Sequence, residues 1–92
     1  MQKMNEREWI AELEKILETI YQKKIRIETV LSNSLFGAPY YFTAIELVYF
    51  VYLLENDYSI AFDKKFFLDR SNLSMQDLLT YLVQATNKNS IN

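Results

Sequence analysis

Glu46 is the residue whose setting most suggests chemistry, because it is the only charged residue in the run from Tyr40 to Leu54. An apolar environment raises the pKa of a carboxylate, and a general acid that works near neutral pH needs such a rise. Catalysis also needs a second acid, a base or a nucleophile nearby, and the sequence places none beside Glu46. The pattern therefore favours a carboxylate at the rim of a contact surface over a catalytic acid.

The composition narrows the chemistry further, because the 92-residue chain contains no Cys and no His. This excludes disulfides, thiolate metal sites, cysteine nucleophiles and the usual imidazole base. The acidic residues near the N-terminus lie singly among lysines, so they do not form an oxygen-rich cation site. We expect no metal, no cofactor and no enzymatic activity.

The charge balance and the apolar runs bear on partners and location. A net charge of −2 argues against a nucleic-acid binder, which needs a concentrated basic face. The apolar run from Tyr40 to Leu54 is too short to span a bilayer, and no secretory segment precedes the first charged turn. We expect a cytoplasmic protein whose partner is a protein or a peptide.

The candidate residues must be positioned by helices, because one Gly and one Pro are too few for a turn-rich β domain. Asn5 and Glu8 have the spacing of a capping box before a first helix. Its apolar stripe has the 3.6-residue period and consists of Trp9, Ile10, Leu13, Ile16, Leu17 and Ile20. The residues 25–38 predict a long ordered loop, in which Gly37 offers a turn with positive φ.

The second half of the chain predicts the remaining helices. Pro39 suits the first turn of a second helix that runs from about Tyr40 to Asn56. The residues 64–69 suggest one short helical turn, and Ser74 is a good N-cap for a last helix. We expect a single all-α domain over 1–92, with an ordered core at about 5–86 and a loose polar tail at 87–92.

This order of helix, long loop, helix, short helix and helix resembles acyl and peptidyl carrier proteins over roughly residues 9–83. The runs that carry the resemblance are FGA at 36–38, IELV at 45–48, LENDYSIAF at 54–62 and LSMQDLLTYL at 73–82. The resemblance implies a carrier-like bundle of three main helices and one short one. The overall character also resembles the acyl carrier-related proteins of peptide maturation systems, which are associated with bacteriocin-like peptides.

The sequence departs from that family at the residue that carries function. Carrier proteins attach phosphopantetheine to a Ser that opens the second helix, and the two possible alignments place Tyr41 or Ala44 there. Thr43 lies between these positions, and Ser34 lies in an Asn-Ser-Leu run within the loop. The resemblance therefore implies a degenerate carrier without its prosthetic group, and a genuine carrier modified at Ser34 or Thr43 is the alternative.

The second helix also predicts a docking face. With Ala44, Leu47, Val51, Leu54 and Tyr58 turned inward, the opposite side presents a mainly apolar surface. This predicted docking face consists of Phe42, Ile45, Glu46, Tyr49, Tyr52 and Leu53. Exposed apolar surface of this kind marks interaction sites, and tyrosine is favoured there. Three alternatives stay open: a different protein or peptide docks on this face, a second copy does, or the long loop covers it.

Overall fold

A computed structural model of the protein describes residues 4–63 and 73–91, with side chains in the last helix up to residue 86. Within these ranges the chain forms three α-helices and no β-strand, so the prediction of an all-α fold is confirmed. The helices are α1 (Glu6–Tyr21), α2 (Ala44–Tyr58) and α3 (Met75–Ile91), with one 3₁₀ turn at Ile27–Thr29. The short helix predicted at 64–69 lies outside the described residues.

The starts of α1 and α3 agree with their sequence signals. The Asn5 side chain accepts a hydrogen bond from the Glu8 backbone N–H, and the Glu8 side chain accepts one from the Asn5 N–H, at 2.8 and 2.9 Å. Ser74 and Asp77 exchange the same pair of bonds at 3.0 and 3.1 Å. Both reciprocal caps satisfy backbone donors that a helix start leaves unpaired.

The predicted start of α2 is wrong by four residues, because a side-chain cap rather than Pro39 sets it. Thr43 is the N-cap, and it forms a capping box with Glu46. Tyr41, two residues before this cap, has a φ of 51°, which a continuous right-handed helix does not permit. Gly37 does not adopt a positive φ, contrary to the sequence prediction.

The long connection between α1 and α2 is held by backbone hydrogen bonds to the start of α3. The Leu35 N–H donates to the Leu73 carbonyl at 2.8 Å, and the Gln76 N–H donates to the Leu31 carbonyl at 2.8 Å. Ile27 and Leu35 are fully buried, so the loop contributes to the core. Its path therefore runs against α3, away from the exposed side of α2 described below.

One hydrophobic core joins all the elements. Its buried residues are Trp9, Leu13, Leu17, Ile27, Leu35, Tyr40, Phe42, Leu47, Phe50, Val51, Leu54, Ile60, Leu73, Met75, Leu78, Leu79 and Leu82. The apolar residues of the last helix, Met75, Leu78, Leu79 and Leu82, are all fully buried, whereas Ile20 of the first helix is 50% exposed. The backbone of α3 stays helical to Ile91, where the sequence predicts a loose tail from residue 87.

Candidate interaction site on the second helix

The N-terminal turn of α2 is fixed against the end of α1. The Tyr21 hydroxyl donates to the Glu46 carbonyl at 3.1 Å, and the Lys23 ammonium donates to the Tyr40 carbonyl at 2.6 Å. The Tyr21 ring meets the Phe42 ring edge-on, with the ring centroids 5.3 Å apart. These contacts set which side of α2 is turned away from the rest of the molecule.

Phe42 is a correction to the predicted docking face. It precedes the helix and is only 3% exposed, because its ring packs between Tyr21 and Phe50. Phe50, which the sequence analysis assigned to neither side of the helix, is completely buried. A surface that docks a partner on α2 therefore cannot include the Phe42 ring in this conformation.

Glu46 has the electrostatics of a helix-capping carboxylate. Its Oε1 accepts a hydrogen bond from the Thr43 backbone N–H at 2.9 Å, and this bond holds the pKa of Glu46 below its ordinary value. The nearby charge of Lys23 acts in the same direction, against an opposing effect of desolvation. A general acid needs a raised pKa, so the direction of the shift agrees with the rim carboxylate that the sequence favours.

The exposed side of α2 carries four large apolar side chains, which we call the outer stripe. They are Ile45, Val48, Tyr49 and Tyr52, with exposed fractions of 83%, 70%, 50% and 58%. The Tyr49 and Tyr52 rings stack on each other with centroids 6.5 Å apart. Three of the four were predicted, whereas Val48 was missed although it lies at the i+3 position from Ile45. The loop between α1 and α2 does not bury these residues.

Leu53, the remaining member of the predicted face, lies in a shallow groove between α2 and α1. The groove has a volume of about 240 Å³ and is also lined by Ile16 and Ile20. At one end, the Tyr58 hydroxyl donates a short hydrogen bond to the Glu12 carboxylate. Burial, followed by this bond to an anionic partner, raises the pKa of Tyr58. Leu53 is therefore half-buried beside the outer stripe rather than part of its exposed centre.

The two hydroxyl groups considered for modification both have structural partners. The Thr43 Oγ1 accepts the capping hydrogen bond from the Glu46 N–H at 3.1 Å. The Ser34 Oγ accepts one from the Phe36 N–H at 3.2 Å, and Ser34 forms an isolated antiparallel bridge with Ser74. Ser34 thus lies beside the start of α3, whereas Tyr41 and Ala44 are exposed near the start of α2.

Comparisons of the chain with models of protein families, with curated proteins and with solved structures find no match. The resemblance to carrier proteins therefore stays a prediction. Within the described ranges, no group of acidic side chains is arranged to hold a metal ion. None of the helices in the same ranges has both the length and the apolar content needed to cross a bilayer.

Proposed function

We propose that this protein is a non-catalytic, acyl-carrier-related accessory protein that binds a protein or peptide partner through the outer stripe. The observation that carries the proposal is the exposure of four large apolar side chains on one side of α2. Contiguous apolar surface on a small domain marks an interaction site, and tyrosines contribute rigid contact area there. The resemblance of the sequence to acyl carrier-related proteins makes peptide maturation the context we propose.

The surroundings of the α2 N-terminus support the absence of a phosphopantetheine group. The first helical residue is Ala44, which has no hydroxyl group. The adjacent residue that carries a hydroxyl is Thr43 rather than Ser, and its oxygen already accepts the capping hydrogen bond from the Glu46 N–H. The helix start thus favours a protein that has kept a docking helix without an attached cargo.

The first test of the proposed function replaces Tyr49 and Leu53 together with Asp. Two carboxylates on the contact surface would have to be desolvated on binding, so we expect affinity for the partner to fall at least about 30-fold. The measurement is calorimetric titration with the purified proteins and peptides that are encoded next to this chain. Circular dichroism checks that the helices are retained.

Two further variants keep this test decisive. Tyr52→Asp changes only a residue that is 58% exposed, so it avoids the half-buried Leu53 and is expected to weaken binding without unfolding the chain. Ala11→Asp adds the same charge at an exposed position on α1 and is expected to bind like the wild type. Partner binding that survives both stripe variants places the docking surface elsewhere.

If the protein were a genuine carrier, attachment of phosphopantetheine would raise its intact mass. We expect no change in the intact mass of the protein after incubation with coenzyme A and a promiscuous phosphopantetheinyl transferase. The reason is that no serine lies at the start of α2, since Ser34 lies in the loop beside Ser74 and the N-cap of α2 is Thr43. A phosphopantetheine adduct that disappears in Thr43→Val or Ser34→Ala would contradict the proposed function and identify the attachment site.

A further inference from the structure

The geometry points to a second copy of this chain as the partner that pairs with the outer stripe, with the two α2 helices antiparallel about a two-fold axis. This inference rests on the proposed function, because it names an occupant for the same surface. The spacing of Ile45, Val48 and Tyr52 is i, i+3 and i+7, which is the seam spacing of packed helices. Tyr49 adjoins this seam one turn after Ile45.

The outer stripe is suited to meet itself because it contains no charge. Glu46, the only ionisable carboxylate between Ala44 and Leu54, accepts its hydrogen bond from the Thr43 N–H at the helix terminus. Its charge is thereby directed at the positive end of its own helix. Two copies of the stripe can consequently pack together without opposing like charges at the centre of the interface.

The charges at the two ends of α2 select the antiparallel arrangement. Lys23 lies at the N-terminal end, where its ammonium contacts Tyr40 and adds to the positive end of the helix dipole. Glu55 and Asp57 lie at the C-terminal end, and α2 contains no Lys or Arg. At the N-terminal end the Glu46 charge lies near Lys23, so the two charges largely offset each other. Parallel packing would place the two acidic ends together, whereas antiparallel packing places each acidic end opposite Lys23, Glu46 and the positive end of the helix dipole of the other copy.

The available area predicts a weak dimer. The two tyrosines, at about 150–250 Å² for a whole aromatic side chain, expose roughly 160–270 Å², and Ile45 and Val48 add roughly 90–180 Å². A standard interface buries about 800 Å² per partner, so the stripe supplies roughly a third to a half and its neighbours Leu53 and Asn56 add to it. We expect a dissociation constant of about 10–300 µM for the dimer, because its small contact area leaves little binding energy beyond the cost of association.

The first experiment is sedimentation equilibrium of the full chain over about 1–300 µM. The wild type is expected to shift from its monomer mass of 11.0 kDa towards twice that value as concentration rises. Tyr52→Asp is expected to weaken the dimer at least about tenfold, whereas Ala11→Asp leaves it unchanged. Circular dichroism at the same concentrations confirms that both variants are folded.

The second experiment tests the antiparallel pairing by exchanging charges. Lys23→Glu and Asp57→Lys each place two like-charged pairs in a homodimer, so each is expected to dimerise about three- to tenfold more weakly than the wild type. When the two variants are mixed, the heterodimer has two opposite-charge pairs. The mixture is therefore expected to associate more strongly than either variant alone, and a tag on one variant measures the heterodimer directly.

The outcomes separate this inference from the proposed function. A wild type that stays monomeric to 300 µM overturns the second-copy inference, and the titrations with neighbouring gene products still decide the proposed function. A dimer that is insensitive to Tyr52→Asp also overturns it. A mixture of the charge variants that associates no better than its components contradicts the antiparallel arrangement. A dimer that none of the neighbouring proteins or peptides joins supports self-association and contradicts the wider accessory role.

Discussion

Phe50→Ala is expected to bring the protein close to its unfolding threshold, with a loss of about 3–5 kcal/mol in the free energy of unfolding. Phe50 is completely buried, and its ring contacts Phe42 at 5.4 Å and Tyr21 at 5.9 Å between centroids. The substitution would leave a cavity where α1, α2 and the loop meet. A domain of this size has a total stability of about 5–15 kcal/mol, so most of it is at risk.

The matched control is Tyr52→Ala, two residues away on the same helix. It removes a side chain of similar size that is 58% exposed, so it is expected to change the free energy of unfolding by less than about 0.5 kcal/mol. Both variants are measured by urea denaturation at a protein concentration where the wild type is monomeric, because dimerisation adds stability by mass action. Equal effects at the two positions would contradict the orientation of α2 described above.

The orientation of α2 is the part of the fold that periodicity alone could not provide. Its apolar residues occupy every side, and a pattern that is hydrophobic all round does not specify which residues face the core. The sequence analysis correctly turned Leu47, Val51 and Leu54 inward, but it did not assign Phe50 and it turned Phe42 outward. The actual choice depends on the position of α1, whose Tyr21 ring contacts both phenylalanine rings.

The helices with one apolar side were predicted more accurately, because their local signals agree with their burial. Asn5 and Ser74 are N-caps in both the sequence analysis and the structure. Along α1, Trp9 and Leu13 are buried as their spacing predicts. Local propensity, capping and periodicity point to the same answer in these segments, which is the condition under which sequence patterns are most informative.

The start of α2 shows a conflict between two local signals. Pro39 favours a helix start at its own position, whereas Thr43 and Glu46 have the Thr-x-x-Glu spacing of a capping box. The structure uses the second signal, which a search for capping boxes in the sequence would have found. The loop pairing of Leu35 with Leu73 could not be found in this way, since it joins residues far apart in the chain.

These corrections also sharpen the candidate site. Removal of Phe42 from the predicted docking face and addition of Val48 shift the exposed surface away from the loop and along α2. The surface becomes narrower, uncharged and periodic, with the half-buried Leu53 at its margin. A broad, irregular apolar face would suit many partners, whereas a seam-like stripe favours packing against another helix.

Stability is expected to fall between about pH 10 and pH 12, because the pKa values of Tyr40, Tyr21 and Tyr58 are all raised in the folded protein, and Tyr40 is the most buried of the three. The Tyr40 hydroxyl donates to the Val30 carbonyl at 2.8 Å, and burial, with a smaller effect of Glu14, raises its pKa to about 12. Above the unfolded value of 10.0, the unfolded chain loses this proton while the folded chain keeps it, so rising pH favours unfolding. The two-unit difference corresponds to roughly 2–3 kcal/mol, lost progressively up to the folded pKa.

The variant Tyr40→Phe measures how much of the stability lost at high pH comes from Tyr40. At pH 7 it removes one of the two hydrogen bonds that the Val30 carbonyl accepts, the other coming from the Asn33 N–H at 3.2 Å, so we expect a loss of about 0.5–1.5 kcal/mol in the free energy of unfolding. Between pH 10 and pH 12 the wild type loses stability that the variant does not. Plots of the free energy of unfolding against pH for the two proteins should therefore converge or cross.

Tyr41→Phe, at a neighbouring position that is 65% exposed, is the control and should stay parallel to the wild type. If the stabilities of the wild type and Tyr40→Phe stay equally separated at all pH values, Tyr40 keeps an ordinary pKa. The alkaline loss of stability then comes from other groups such as Tyr21 and Tyr58, whose pKa values are also raised.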